Sequence, residues 1–154
     1  MKQLIVALSL LVSVSVFAEN NFDIDVIKDK DGNAVIIYNS DDWKLITKTA
    51  HYDVYVPKEL LKEKNKNVLT FQGMTTFHKE QTYSYITGGV KKIYSYGVLN
   101  CETAKLYLMG DFFASSKEVV IYYQTHDWGT YITDMDVPNT SRNDVYNAVC
   151  KDSI

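Results

Sequence analysis

The chain has 154 residues, room for one domain, and its 46% hydrophobic and 23% charged side chains are values of a folded globular protein, not a disordered one. Nineteen acidic against 16 basic residues give a formal charge of −3, and Arg142 is the lone arginine, so the arginine-rich basic stripe of a nucleic-acid binder is missing. Seven Gly and two Pro exclude collagen-like and low-complexity chains, whereas 12 Tyr, 6 Phe and 2 Trp point to a small, soluble, tyrosine-rich β-type domain.

Residues 1–18 read as a secretory signal peptide. Met1-Lys2-Gln3 is a short basic start, Leu4 to Phe17 is apolar apart from three serines, and Val16 and Ala18 stand at −3 and −1 of a cleavage site after Ala18. The apolar run of 14 residues is shorter than the roughly 20 needed to span a bilayer. No cysteine stands at the cleavage site to carry a lipid. The mature protein is therefore expected to be exported, without a membrane span, to the periplasm, the outer-membrane surface or the medium. Loss of Lys2 with the leader leaves 19 acidic and 15 basic residues, a net charge of −4.

From Phe22 to Val26 apolar and acidic residues alternate, the period of a half-buried strand. Asp29-Lys30-Asp31-Gly32-Asn33 then precedes Ala34 to Tyr38, and an Asp-Gly turn between β-rich runs predicts a hairpin. With Gly32 as position six of a calcium loop, position three would be Ile27 and position twelve Tyr38, neither of which ligates calcium. Residues 19–42 are thus an N-terminal hairpin or extension ahead of the main domain, 43–154. Trp43 to Thr47 and Tyr52 to Val56 form the next strand pair, with Tyr52, Val54 and Val56 on one face and Asp53 and Tyr55 on the other. Pro57 ends it, and Lys58 to Lys64 has room for one helical turn. Asn67 to Phe77 reads as a long strand with Val68, Phe71 and Phe77 as buried anchors. Residues 78–90, through Gly88-Gly89, read as a longer, mobile insertion.

Three further β-rich runs follow: Lys91 to Cys101, Ala104 to Phe113 and Glu118 to Gln124. Tyr131 to Met135 either extends the sheet or returns as a loop. After Val137-Pro138, Ser141-Arg142-Asn143-Asp144 is close to a capping box, and Val145, Ala148 and Val149 recur at helical spacing up to Cys150. Two cysteines in an exported chain, Cys101 and Cys150, read as a disulfide; 49 positions apart and without a histidine pair, they match no zinc pattern. The fold class is α+β, mainly β: an antiparallel meandering sheet of about six strands, with a C-terminal helix disulfide-linked to it.

Catalytic chemistry has no visible carrier. His51, His78 and His126 are scattered at spacings that fit no metal motif, and neither a nucleophile elbow nor a phosphate-cradling or dinucleotide glycine loop is present. No catalytic, cofactor-binding or metal-binding residue is assigned, and no enzymatic turnover is expected. The tyrosines offer more. Tyr83, Tyr85, Tyr94 and Tyr96 interleave with Lys91 and Lys92, and tyrosine is enriched both in strands and at protein interfaces. Lys91, Lys92, Tyr94 and Tyr96 are the candidate partner-binding residues, although alternation puts Lys91 on the opposite face from the other three. The Asp127–Gly129 turn is the next candidate.

An ordered set of motifs carries a family resemblance: Val98 to Cys101 (Val-Leu-Asn-Cys), the tyrosine-bearing strand Val119 to Tyr123, Trp128-Gly129, Val137-Pro138, and the closing Val145 to Cys150 (Val-Tyr-Asn-Ala-Val-Cys). With Trp43 and the Tyr52-Asp53 strand upstream, the set resembles the surface-adhesin protein E family of Gram-negative bacteria over roughly Trp43 to Cys150. The resemblance implies an antiparallel sheet with a disulfide-held C-terminal helix, the family's cysteine pair falling on Cys101 and Cys150. It implies a non-enzymatic surface protein that binds host extracellular-matrix or plasma proteins, sometimes as a homodimer, with ligand contacts near Lys91 and Lys92. The chain departs from the family in lacking a lipidation cysteine, in the Phe22–Tyr38 hairpin and in the 78–90 segment. A periplasmic inhibitor or accessory protein of the same fold is the alternative.

Overall fold

The computed structural model describes residues 24–63 and 65–151; the segment 1–18, expected to be a signal peptide, and Phe22 and Asp23, expected to open the first strand, lie outside the described residues. Strands β1 (Ile24–Lys28) and β2 (Ala34–Tyr38) pair antiparallel as the expected hairpin. Its turn is built by Asp29, whose carboxylate accepts from the backbone N–H of Asp31 at 2.9 Å and of Asn33 at 2.8 Å. Gly32 takes φ +83°, open to glycine at no steric cost. The side-chain hydrogen bond from Asn33, with the backbone donors, holds the Asp29 carboxyl below its ordinary range.

The main sheet runs β3 (Trp43–Lys48), β4 (Tyr52–Pro57), β5 (Val68–Gln81), β6 (Val90–Asn100), β7 (Lys105–Ala114) and β8 (Val120–Thr125), each antiparallel to the one before. A seventh strand, β9 (Ile132–Asp134), pairs with the start of β7 where β8 pairs with its end, so the 131–135 segment extends the sheet. A 3-10 turn at Leu60–Lys62 fills the β4–β5 connection, and helix α1 (Ser141–Cys150) closes the chain. The fold is thus the expected antiparallel meander, mainly β, with one C-terminal helix.

Three expectations are corrected. The connection expected over 78–90 is shorter: β5 continues to Gln81, β6 starts at Val90, and the 82–89 turn between them places Ile86 in a cluster with Val90 and Phe113. Val68 is exposed and Phe77 only partly covered; of the three expected anchors Phe71 alone is buried, with Leu69 as its partner two residues before. The N-cap of α1 is Thr140, whose hydroxyl accepts from the Asn143 N–H at 3.2 Å, so Ser141 is the first helical residue.

Cross-strand pairs share a face, and the register therefore sorts the side chains into two layers. One face carries Val56, Leu69, Phe71, Leu99 and Leu106 under Val145, Tyr146 and Val149 of the helix. The disulfide Cys101–Cys150, with Cα atoms 5.4 Å apart, ties the last residue of α1 to the turn after β6, and the Tyr146 hydroxyl donates to the Cys101 carbonyl at 2.9 Å. Farther along that face the Ile86 cluster takes over. The opposite face carries Trp43, Met74, Tyr94 and Ala114, covered by Ile36 of the hairpin. The hairpin is anchored there by the Ile36 N–H donating to the Glu118 carbonyl at 3.0 Å and by a bridge between Val35 and Val119.

Candidate functional site

The four candidate binding residues do not form a surface. Tyr94 is 1% exposed and Tyr96 7%. Tyr94 packs edge-on against Tyr38 and Trp43 beneath the hairpin, and its hydroxyl donates to Glu118 at 2.8 Å. Tyr96 lies over Gly110, where a Cβ would come within 2.6 Å of its hydroxyl, and it shares a 2.6 Å hydrogen bond with the Tyr123 hydroxyl. Burial pushes both phenols well above their ordinary range, and the hydrogen bonds to Glu118 and Tyr123 add to the effect. Lys92 is committed inside the molecule: its ammonium donates to Glu118 and, at 2.5 Å, to the Tyr38 hydroxyl. Lys91 reaches back to the His78 carbonyl at 2.9 Å on the other face. Lys92 and Tyr94 hold the hairpin in place through Tyr38 and Glu118, Tyr96 ties β6 to β8, and Lys91 ties β6 to β5.

An exposed apolar surface lies on the same sheet face as Tyr94, in the half that the hairpin leaves open, separate from the exposed hairpin residues Val26, Ile27 and Ile37. One register row runs straight across four strands, Thr70–Val98–Tyr107–Ile132, with Val68 one row farther along β5. The Trp128 ring stacks on Tyr107 with centroids 5.7 Å apart and planes 13° apart. Trp128 is 65% exposed, Val68 55% and Ile132 46%, with Val98 and Tyr107 half-buried between them. A stacked indole that shows most of its surface to water, in an apolar row, is the residue type and setting that concentrate binding energy at protein interfaces.

The turn presenting Trp128 is braced from both sides. Its backbone is closed by Thr130, whose N–H and hydroxyl both donate to the Asp127 carbonyl, and Gly129 takes φ +76°. At the start of the turn the His126 ring stacks on Tyr131 with centroids 4.7 Å apart. His126 Nε2 donates to Asp111 at 3.2 Å, and Asp111 accepts from Ser95 Oγ at 2.5 Å. The carboxylate stands between hydroxyl and imidazole, so the ring has no contact with the serine proton and does not activate it. The trio is a polar strut joining β6, β7 and the residue after β8 on the opposite sheet face, the one that the helix and the Ile86 cluster cover.

Other surfaces carry less. The shallow cleft of Asp42, Lys58, Glu59 and Lys62 holds both signs of charge, with Lys62 and Glu59 paired. Among the described residues no three His, Cys, Asp and Glu side chains assemble as a metal site, and no helix is long and apolar enough to cross a membrane. Comparison with protein-family models, with curated proteins and with solved structures finds no match to this chain.

The sequence points to Trp128 and its turn, but Tyr107 and Ile132 carry no local signal, and Val68, expected inside, is exposed. The usable signal was parity: Val68 shares it with Gln72 and Met74, not with Leu69 and Phe71. How much of each parity stays open is decided by where the hairpin and helix lie, and those positions are not written in any one strand.

Proposed function

We propose that this chain is an exported bacterial binding protein, resembling the surface adhesins that engage host extracellular-matrix or plasma proteins, and that it binds a protein ligand through the open sheet face around Trp128. The observation that carries the reading is the solvent-facing Trp128–Tyr107 stack set in the row of Val98 and Ile132. Complete removal of that indole from water on docking would contribute on the order of 2–3 kcal/mol, enough to make one residue decisive. The leader-like first 18 residues and the Cys101–Cys150 disulfide support export to an oxidising compartment.

The test has two arms. Cells expressing the full chain are fractionated and shaved with protease while intact, and the purified protein is applied to an array of extracellular-matrix and plasma proteins. Protease-accessible protein and capture by at least one array protein, lost in Trp128→Ala, are the expected results. Protein retained inside the outer membrane, with no capture on the array, would replace the adhesin reading by that of a periplasmic accessory protein.

A further inference from the structure

The open half of the sheet face is apolar at its centre and acidic at its rim. Asp127 directly precedes Trp128 in the same turn. Asp134 follows Ile132 at the next position of the same β9 face, and Asp136 is exposed two residues beyond. Among the described residues none of these three carboxylates takes part in an ion pair, whereas the partly buried Glu118 is paired with Lys92. Lys105, the register partner of Asp134, is the one cation of that row.

An exposed indole face carries negative quadrupolar potential, and carboxylates beside it deepen that potential. We infer that the occupant of this face is a basic segment of a protein chain, in which Lys or Arg alternates with apolar side chains. The apolar residues of such a segment would lie along Val98 and Ile132, a cation would sit over Trp128, and its neighbours would meet Asp127 and Asp134. The inference rests on the reading of the open face as a binding surface and adds the chemistry of the partner. The net charge also selects against the other polymers that a flat aromatic surface attracts: a chain with four more acidic than basic groups after removal of its leader repels nucleic acids and anionic membranes. The basic groups that could have reversed that sign near the hairpin, Lys91 and Lys92, are engaged within the molecule.

The test uses the mature chain and two short fluorescently labelled peptides, one alternating arginine with valine and one alternating glutamate with valine, followed by anisotropy. The arginine peptide is expected to bind roughly tenfold or more tightly than the glutamate peptide, and to weaken as salt is raised past the point where the Debye length falls to about 3 Å. Asp127→Asn/Asp134→Asn/Asp136→Asn should lose roughly fivefold or more, and Trp128→Ala should lose a similar factor with every rim carboxylate in place. Equal binding of the two peptides, or binding of the arginine peptide that ignores both variants, would overturn the inference. If capture of an array protein still needs Trp128 but is indifferent to the rim and to salt, the basic partner falls while the binding face stands. A dimer in sedimentation that Trp128→Ala dissociates would make a second copy of the chain the occupant, and the inference would fall.

Discussion

Lys92 shows what a half-buried cation is for in this molecule. Burial alone would lower its pKa, but the hydrogen bonds to Glu118 and Tyr38, with the charge of Glu118, outweigh that and raise it above the ordinary 10.5. Its Nζ also sits 4.8 Å from the Tyr38 ring centroid, so the cation is bound to the hairpin twice over. Glu118 accepts these contacts from a left-handed backbone, φ +61°, a conformation costly for a residue with a Cβ and kept here by its two partners, Lys92 and Tyr94. A cation whose folded pKa is raised contributes stability that is complete below about pH 10.5 and lost as pH climbs through the folded value. The raised phenols of Tyr94 and Tyr96 act in the same direction, since the unfolded chain ionises them first. Urea titrations are therefore expected to show stability falling steeply above about pH 10. Lys92→Met should flatten part of that fall and cost about 1–3 kcal/mol at neutral pH, because it leaves the Glu118 carboxylate short of its partner. A flat profile in the parent chain would contradict the assignment.

At the scale of elements, the disulfide and the hairpin make separable predictions. Cys101→Ser/Cys150→Ser opens a loop with a sequence separation of 49 and should lower the unfolding free energy by about 2–5 kcal/mol. A change well below that range would assign the docking of α1 to Val145, Tyr146 and Val149. The hairpin rests on one fully buried side chain, Ile36, so Ile36→Ala should strip amide protection from β1 and β2 while the central strands β5 to β7 keep theirs, read by hydrogen exchange. Simultaneous loss of protection throughout would show that the hairpin is part of the global folding unit. Most of these elements were legible in the chain: Ala34–Tyr38 and the starts of β3 and β4 follow from alternation and turn residues alone. The extent of the 78–90 loop was not, because its glycines and polar residues hide the continuation of β5 to Gln81, and Ile86 is anchored through contacts with Val90 and Phe113 that only the fold brings together. The same holds for the Thr140 cap, one residue from the predicted start, where two adjacent hydroxyls compete and the geometry decides.

For the molecule as a whole, two faces of one sheet have different fates. One is covered by the helix and the Ile86 turn, the other by the hairpin over half its length, and the uncovered half gathers Val68, Tyr107, Trp128 and Ile132 from four separate segments. Local patterns found the tyrosines but could not tell a packed ring from an exposed one; Tyr94, Tyr96 and Trp128 look equally suited to an interface until the layers are assembled. Exposure also separates stability from binding. Trp128 shows most of its surface to water and stacks on Tyr107, so Trp128→Ala should change the unfolding free energy by no more than about 0.5–1 kcal/mol while removing the anchor of the open face. The most direct measurement is the dissociation constant of the chain for a protein it captures from the matrix and plasma array, compared among parent, Trp128→Ala and Lys91→Glu. The account predicts a loss of roughly tenfold or more for Trp128→Ala, with the fold intact by circular dichroism, and parent-like affinity for Lys91→Glu. Unchanged affinity in Trp128→Ala, or a loss confined to Lys91→Glu, would contradict it.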